Sequence, residues 1–145
     1  MLESERSTLA ARQLELIAAL TADAAVPENF EPSRVRLAAE MLFNKRRRGV
    51  QKSWPKLCEA LGAQFPVEFQ AFSAEVPSPA ETPLADGALF AEFLLRRETL
   101  PDAGRIELAL YRAQTGARVQ WMFLVEAKRW FVAVRLLRVR GFRIP

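Results

Sequence analysis

Apolar side chains recur at helical spacing over most of the first 115 residues. In residues 8–20 they form one stripe, and this stripe predicts an amphipathic helix; it consists of Leu9, Leu14, Ile17 and Leu20. The same periodicity, together with capping residues and first-turn prolines, predicts further helices that begin near Ser33, Trp54-Pro55, Phe65-Pro66, Leu89 and Pro101. Three prolines predict a loop in the segment from Val76 to Gly87. We therefore expect a bundle of about five to six helices in residues 1–115.

The pattern changes to a period of two from Gly116 onward. Residues 119–125 and 130–136 alternate, with β-branched and aromatic side chains that favour strands. The same residues also fit a helical face, so a strand pair and a helix both remain open for residues 117–137. Alternation at Phe142 to Ile144 suggests a last short strand. The expected fold class is α+β, in which the helical domain of residues 1–115 precedes a small antiparallel β element in a basic tail of residues 116–145.

The net charge of +4 hides four blocks of opposite sign. Residues 34–56 hold eight Lys or Arg and one acid, and residues 105–145 hold nine Lys or Arg and two acids. Residues 1–33 and 57–104 are acidic. A basic surface attracts phosphates, nucleic acid or an acidic peptide, whereas the bland alternative is that the blocks pair with each other inside the fold.

Two absences in the composition argue against catalysis and against a metal or other cofactor. The chain has no histidine, and Cys58 is its one cysteine, so the usual zinc, copper and non-haem iron sites cannot be built from it. We expect a protein that is not an enzyme, with Cys58 as a small core residue. The apolar runs fall short of the ~20 residues that a membrane-spanning helix needs, and the first residues are acidic and polar, so we expect a cytoplasmic protein that makes no membrane contact.

Arginine clusters and tryptophans supply the candidate residues for binding a partner or a peptide. The guanidinium fork suits carboxylate and phosphate groups, although a charge run at a helix end is often only solvated. The tail could form a ribbon with one basic face and one packed face, or an edge strand that its charges protect from aggregation. Its tryptophans are predicted to be core or interface anchors. The candidates are Arg46, Arg47, Arg48, Trp121, Trp130, Arg135, Arg138, Arg140 and Arg143.

A pattern of turn and helix-packing residues within 60–94 resembles a known family. It consists of Ala60-Leu-Gly-Ala-Gln-Phe-Pro66, Phe69, Phe72, Pro77-Ser-Pro79, Pro83-Leu-Ala-Asp-Gly87 and Phe90-Ala-Glu-Phe-Leu94. The resemblance is to the helical domain of HvfC/BufC-type proteins, long labelled a DNA-binding domain, and it covers about residues 40–113. Those proteins are partners of multinuclear non-haem iron enzymes that modify ribosomally made peptides. The tail from Gly116 is shorter than the second domain of the longer members.

The resemblance implies a non-catalytic adaptor that binds a precursor peptide and docks to a companion iron enzyme. It carries over no catalytic residue, because the iron ligands of that family belong to the companion enzyme. The alternative is a DNA-binding transcriptional regulator that uses the basic blocks. We rank it second because Arg46 to Arg48 lie at a predicted helix end before Gly49, and not in the N-terminal half of a recognition helix.

Overall fold

The computed structural model describes residues 2–21, 24–28, 30–116 and 118–135, with side chains from residue 5 onward. This part of the chain forms six α-helices, one 3₁₀ turn and one two-stranded sheet. The helices are α1 (Leu2–Thr21), α2 (Pro32–Ser53), α3 (Pro55–Leu61), α4 (Phe65–Glu75), α5 (Pro83–Arg96) and α6 (Asp102–Thr115). The 3₁₀ turn is Gly62–Gln64, and the strands are β1 (Val119–Leu124) and β2 (Arg129–Val134). The predicted α+β class, a helical bundle followed by a small antiparallel β element, is confirmed.

The second helix is longer than its sequence signals predicted. It begins at Pro32 with Glu31 in the capping position, so the prediction of Ser33 as the cap was wrong; the Ser33 hydroxyl instead donates to the Glu31 carboxylate at 2.6 Å. The helix also continues through Gly49 to Ser53. A Cβ at Gly49 would lie 3.2 Å from the Pro83 side chain, so the glycine allows α2 to pack closely against the start of α5.

Aromatic side chains of α4 and α5 form the centre of the core. Phe69, Phe72, Phe90 and Phe93 are almost fully buried, and their neighbouring rings lie 5.3–5.7 Å apart. Rings at this spacing and tilt add attraction to the gain from burying apolar area. The core therefore lies in the helical body, where the apolar spacing of the sequence is strongest.

The loop predicted from Val76 to Gly87 is shorter than expected. Residues 76–82 do lie outside regular structure, but α5 already begins at Pro83. Proline fits the first turn of a helix because the N–H it lacks would have no partner there. The Thr82 side chain accepts the Ala85 N–H at 3.1 Å and caps the helix.

The hairpin that follows α6 resolves the choice between strands and a helix. β1 and β2 pair antiparallel, with Trp121 opposite Val132 and Phe123 opposite Trp130. Residues 125–128 make the turn without glycine, because Lys128 adopts a φ of 49°. The last short strand predicted at 142–144 lies outside the described residues.

One face of the hairpin packs against α6. Met122, Leu124 and Ala133 are buried there. The carboxylate of Asp102, at the start of α6, accepts the N–H of Val125 at 2.7 Å and a second turn N–H at 2.9 Å. The hairpin is therefore held to the helical body both by apolar packing and by a cap on its turn.

Candidate partner-binding surfaces

Arg46 is directed into the protein. Its side chain is 9% exposed, and it binds the Asp86 carboxylate through Nε at 2.7 Å and Nη2 at 2.9 Å. Nη1 donates to the Val76 carbonyl at 2.8 Å, and the guanidinium lies 4.9 Å from the centre of the Phe72 ring. Arg46 thus connects α2 to the loop of residues 76–82 and to α5, and its donors are already occupied.

The neighbouring basic residues of α2 are directed elsewhere. Arg47 is half-buried, and its guanidinium lies 5.8 Å from the Phe43 ring, whereas Arg48 is exposed. Lys45 and Lys52 are exposed at helical spacing from Arg48, so these three residues share one side of the helix. Within the described residues none of the three has an ion-pair partner. We call Lys45, Arg48 and Lys52 the basic strip.

The side of the hairpin that faces away from α6 is apolar and exposed. Its side chains are between 39% and 65% exposed, and Trp121 and Trp130 reach the upper value. The Phe123 and Trp130 rings pack edge to face, with centres 5.4 Å apart. A contiguous apolar patch of this kind on a protein surface is typical of an interaction site. We call it the open face: Val119, Trp121, Phe123, Trp130, Val132 and Val134.

The exposed basic side chains of the hairpin lie outside the open face. Arg118, Arg129 and Arg135 have the alternation phase of the face that packs on α6, and Lys128 lies in the turn. Residues 118–135 contain four Lys or Arg and one acid, Glu126. Arg118, Lys128 and Arg129 are exposed and have no ion-pair partner in the described part of the chain. Arg135 is also exposed, and its guanidinium donates to the Gln114 carbonyl at 2.7 Å, at the C-terminal end of α6.

The predicted binding residues do not form one site. α2 packs against α1, α3 and α5, whereas the hairpin packs against α6. The structure therefore separates Arg46 to Arg48 from Trp121, Trp130 and Arg135. Arg138, Arg140 and Arg143 lie outside the described residues, so the ribbon that they were predicted to form stays a prediction. In the described hairpin the face opposite the packed one is apolar and not basic.

Sequence reasoning missed most of the open face. It selected the two tryptophans but not Val119, Phe123, Val132 or Val134, which lie on the same side. The signal was present, because residues of one alternation phase must share one face of a strand. The pairing register was needed to join the two strands into a single surface.

A groove of about 480 Å³ opens between the end of α1, α2 and the loop of residues 76–82. Leu42, Phe43 and Pro79 contribute to its mostly apolar walls. The Arg46–Asp86 pair also lines it, but these two groups already bind each other. The groove therefore offers no free charged group of this pair to a ligand, and we consider the open face the stronger candidate for binding.

Cys58 is buried, and its thiol is protonated at neutral pH. Burial raises the pKa of its thiol to about 12, and the nearby Glu107 carboxylate adds to the effect. Glu107 is held there because it accepts the Leu57 N–H at 2.8 Å. Since the thiolate is the reactive form of cysteine, this side chain is a poor nucleophile at neutral pH.

The described residues contain neither a metal-binding cluster nor a membrane-spanning helix. No group of three or more Cys, Asp or Glu residues in this part of the chain is arranged to hold a metal ion. None of its helices combines the length and the apolar character needed to cross a membrane.

Comparison with known proteins assigns most of the helical body to a family. A sequence model of the family described as SCO6045-like, C-terminal domain matches residues 10–96, more than half of the chain. The chain belongs to this family. The SCO6045-like region runs from within α1 to the end of α5, so α6 and the hairpin follow it. No curated protein and no solved structure matches the chain.

Proposed function

We propose that this SCO6045-like protein is a non-catalytic adaptor that binds a ribosomally made precursor peptide and docks to a companion non-haem iron enzyme. The observation that carries the proposal is the open face, where six apolar side chains are exposed together. The resemblance of residues 60–94 to the HvfC/BufC type supplies the class of partner.

The side chains of the open face are those that favour protein contacts. Tryptophan is enriched among the residues that contribute most to binding energy, because it buries a large area when a partner covers it. Trp121 and Trp130 lie on adjacent strands and are flanked by valines. Within the described residues no third strand pairs with β1 or β2, so their edge N–H and C=O groups are also open to an extended peptide.

A second candidate function is DNA binding through the basic strip. Three basic side chains on one side of α2, which have no ion-pair partner in the described part of the chain, favour it, since Lys and Arg neutralise phosphates. It ranks second because Arg46 is occupied by Asp86 and the strip lies in the C-terminal half of its helix. Recognition helices usually present their N-terminal residues to the groove.

The test of the first proposal begins with the neighbouring genes, among which the proposal requires a short peptide gene and a gene for a metal-dependent enzyme. Each gene product is purified, and its binding to the full chain is measured by calorimetry at low and high salt. We expect binding that persists at high salt, because apolar burial is screened little. The double variant Trp121→Ala/Trp130→Ala should weaken it at least about tenfold. The matched control, Met41→Ala/Val67→Ala, removes two apolar side chains that are 65% and 69% exposed elsewhere, and binding should be unchanged.

The same protein is titrated with duplex DNA. We expect weak binding. The logarithm of its association constant should fall by about 0.9 per phosphate neutralised for each unit of the logarithm of salt concentration. The variant Lys45→Ala/Arg48→Ala should reduce that slope and leave peptide or enzyme binding unchanged. A sequence-selective DNA complex that survives high salt, together with no binding to any encoded peptide or enzyme, would reverse the ranking of the two functions.

A further inference from the structure

The main-chain groups at the two edges of the hairpin follow from its register. The Arg135 N–H donates to the Arg118 carbonyl at 2.7 Å, so these residues form a hydrogen-bonded pair of the ladder. Such pairs alternate with pairs whose N–H and C=O groups point away from the partner strand. The outward groups therefore belong to the residues of the open face: Val119, Trp121 and Phe123 on β1, and Trp130, Val132 and Val134 on β2.

The two edges differ because side chains of α6 already occupy part of the β1 edge. Arg105 donates to the Phe123 carbonyl at 3.4 Å, and the Asp102 carboxylate accepts the N–H of Val125, the next outward residue, at 2.7 Å. The outward groups of β2 have no hydrogen-bond partner among the described residues. A row of free N–H and C=O groups on every second residue matches the main chain of an extended polypeptide.

The charges beside the β2 edge select the side chains of such a polypeptide. Arg129 begins β2 and Arg135 follows its last residue; both are exposed and lie on the phase opposite to the open face. Arg129 has no ion-pair partner in the described part of the chain. Arg135 donates to the Gln114 carbonyl, but a guanidinium has five N–H donors, so others remain for a ligand.

An antiparallel strand at this edge would bring side chains close to both arginines. Residues opposite Arg129 and Arg135 would form non-hydrogen-bonded pairs, in which the side chains approach most closely. Carboxylates at these two positions would therefore pair with the arginines. A second copy of β2 paired about Val132 would instead place Arg129 opposite the Arg135 of the other copy, and like charges in such pairs are destabilising.

We infer that the β2 edge binds an extended, acidic segment of the precursor peptide as an antiparallel strand, with its carboxylates opposite Arg129 and Arg135. The inference rests on the proposed function and names the kind of segment recognised. The alternate residues of the segment lie beside Trp130, Val132 and Val134, and we expect them to be apolar. They widen the open face and leave it free for the companion enzyme.

The experiment uses capped seven-residue peptides and the full chain. The first peptide is Glu-Val-Thr-Val-Thr-Val-Glu, which reads the same in both directions and has its glutamates at the separation of Arg129 and Arg135. The second peptide carries lysine in place of both glutamates. Binding is measured by fluorescence anisotropy of the labelled peptide. We expect the glutamate peptide to bind, and the lysine peptide to bind at least about tenfold more weakly.

Two N-methylated forms of the glutamate peptide test whether main-chain hydrogen bonds hold it. In the antiparallel register the N–H of the central valine points at Val132, whereas the N–H of each threonine points away from β2. Methylation of the central valine nitrogen removes a donor and places a methyl group against β2, so it should weaken binding at least about tenfold. Methylation of one threonine nitrogen is the matched control and should change binding less than about threefold.

Hydrogen exchange of the chain's own amides shows which edge is used. Binding of the glutamate peptide should slow the exchange of the N–H groups of Trp130, Val132 and Val134, because they gain acceptors. The outward N–H groups of Val119 and Trp121, on the β1 edge, should exchange at an unchanged rate.

Two charge variants test the arginines. Arg129→Glu/Arg135→Glu should weaken the glutamate peptide at least about tenfold and strengthen the lysine peptide, and the gained binding shows that the variant is folded. The control Arg36→Glu/Arg48→Glu makes the same change in net charge on exposed residues of α2, and should change either affinity less than about twofold.

Several results would overturn the inference. These are equal binding of the two peptides, a threonine methylation that weakens binding as much as the valine methylation, slower exchange along β1 and not β2, or equal loss of binding in the charge control. Failure of the glutamate peptide to bind would overturn it as well, and a dimer in sedimentation would then assign the β2 edge to a second copy.

The inference and the proposed function fail in different ways. If an encoded peptide and enzyme bind but the glutamate peptide does not, the inference is wrong and the function stands. If the glutamate peptide behaves as expected but no encoded peptide or enzyme binds, the function is wrong and the recognition of an acidic strand stands.

Discussion

Removal of the Asp86 carboxylate should be among the most damaging single changes in the helical body. Asp86→Ala leaves the Arg46 guanidinium, 9% exposed, without its counter-charge. Breaking a buried ion pair in this way costs about 3–5 kcal/mol of unfolding free energy. The Ala80 N–H, which donates to Asp86 at 3.1 Å, loses its acceptor as well. We expect a loss of about 4 kcal/mol, or a melting temperature lower by roughly 10–15 °C.

The assay is chemical and thermal unfolding followed by circular dichroism. The matched control is Glu75→Ala, which breaks the exposed pair of Glu75 with Arg96, whose side chains are 55% and 60% exposed. Exposed pairs contribute about 0–1 kcal/mol, so this variant should melt close to the unmodified protein. The double variant Arg46→Met/Asp86→Leu removes both charges and should be more stable than Asp86→Ala.

Two results would refute this reasoning. One is a loss for Asp86→Ala no larger than for Glu75→Ala, which would mean that the buried pair adds nothing beyond an exposed one. The other is a double variant as unstable as Asp86→Ala, which would place the cost in packing and not in an unpaired buried charge.

Three further changes test other parts of the structure. Asp102→Ala removes the acceptor of two turn N–H groups, so it should cost about 1–3 kcal/mol and increase hydrogen exchange in the hairpin first. Gly87→Ala would place a Cβ 2.1 Å from the Trp54 ring, so we expect a loss of more than about 3 kcal/mol in denaturant unfolding. The raised pKa of Cys58 stabilises the fold below the ordinary value of 9.0, and this contribution is lost as the pH rises towards about 12. Unfolding of Cys58→Ala should therefore show a smaller decrease in stability between about pH 8 and about pH 10.5.

Hydrophobic periodicity predicted the helices because each one buries a stripe of its own sequence. Phe69 and Phe72, three residues apart on one side of α4, are both fully buried. The ends of the helices were less predictable, since they depend on contacts that are distant in sequence. α2 passes through Gly49 because the glycine faces Pro83, which lies on a different helix.

In the hairpin the alternation of residue types does not show which face of the strands is exposed. In a half-buried strand the polar phase marks the solvent side. Here both phases are apolar, with Met122 and Leu124 on α6 and Trp121 and Phe123 exposed. The sequence pattern could therefore predict strands but not which face would be open. The prediction that tryptophans would anchor an interface is consistent with their exposure but stays a prediction.

The three adjacent arginines of α2 have different surroundings because of the geometry of the helix. Successive residues of an α-helix are rotated by about 100°, so Arg46, Arg47 and Arg48 cannot share one face. The structure places Arg46 against Asp86, Arg47 over an aromatic ring and Arg48 in solvent. Periodicity alone gives this division, but the partner of Arg46 lies 40 residues away in sequence and required the fold.

The family assignment and the proposed binding surface depend on different parts of the chain. The SCO6045-like match ends at residue 96, whereas the open face begins at Val119. The core aromatic residues lie within the matched region, so this region accounts for the stability of the fold. It does not contain the open face. Binding specificity should then follow the hairpin. Replacing residues 119–134 by a hairpin that keeps Met122, Leu124 and Ala133 but carries Thr and Ser on the open face should retain the helical fold and lose binding of the partner peptide or enzyme. If such a chimera still bound its partner with unchanged affinity, recognition would lie in the helical body, and the basic strip on α2 would be the first surface to mutate.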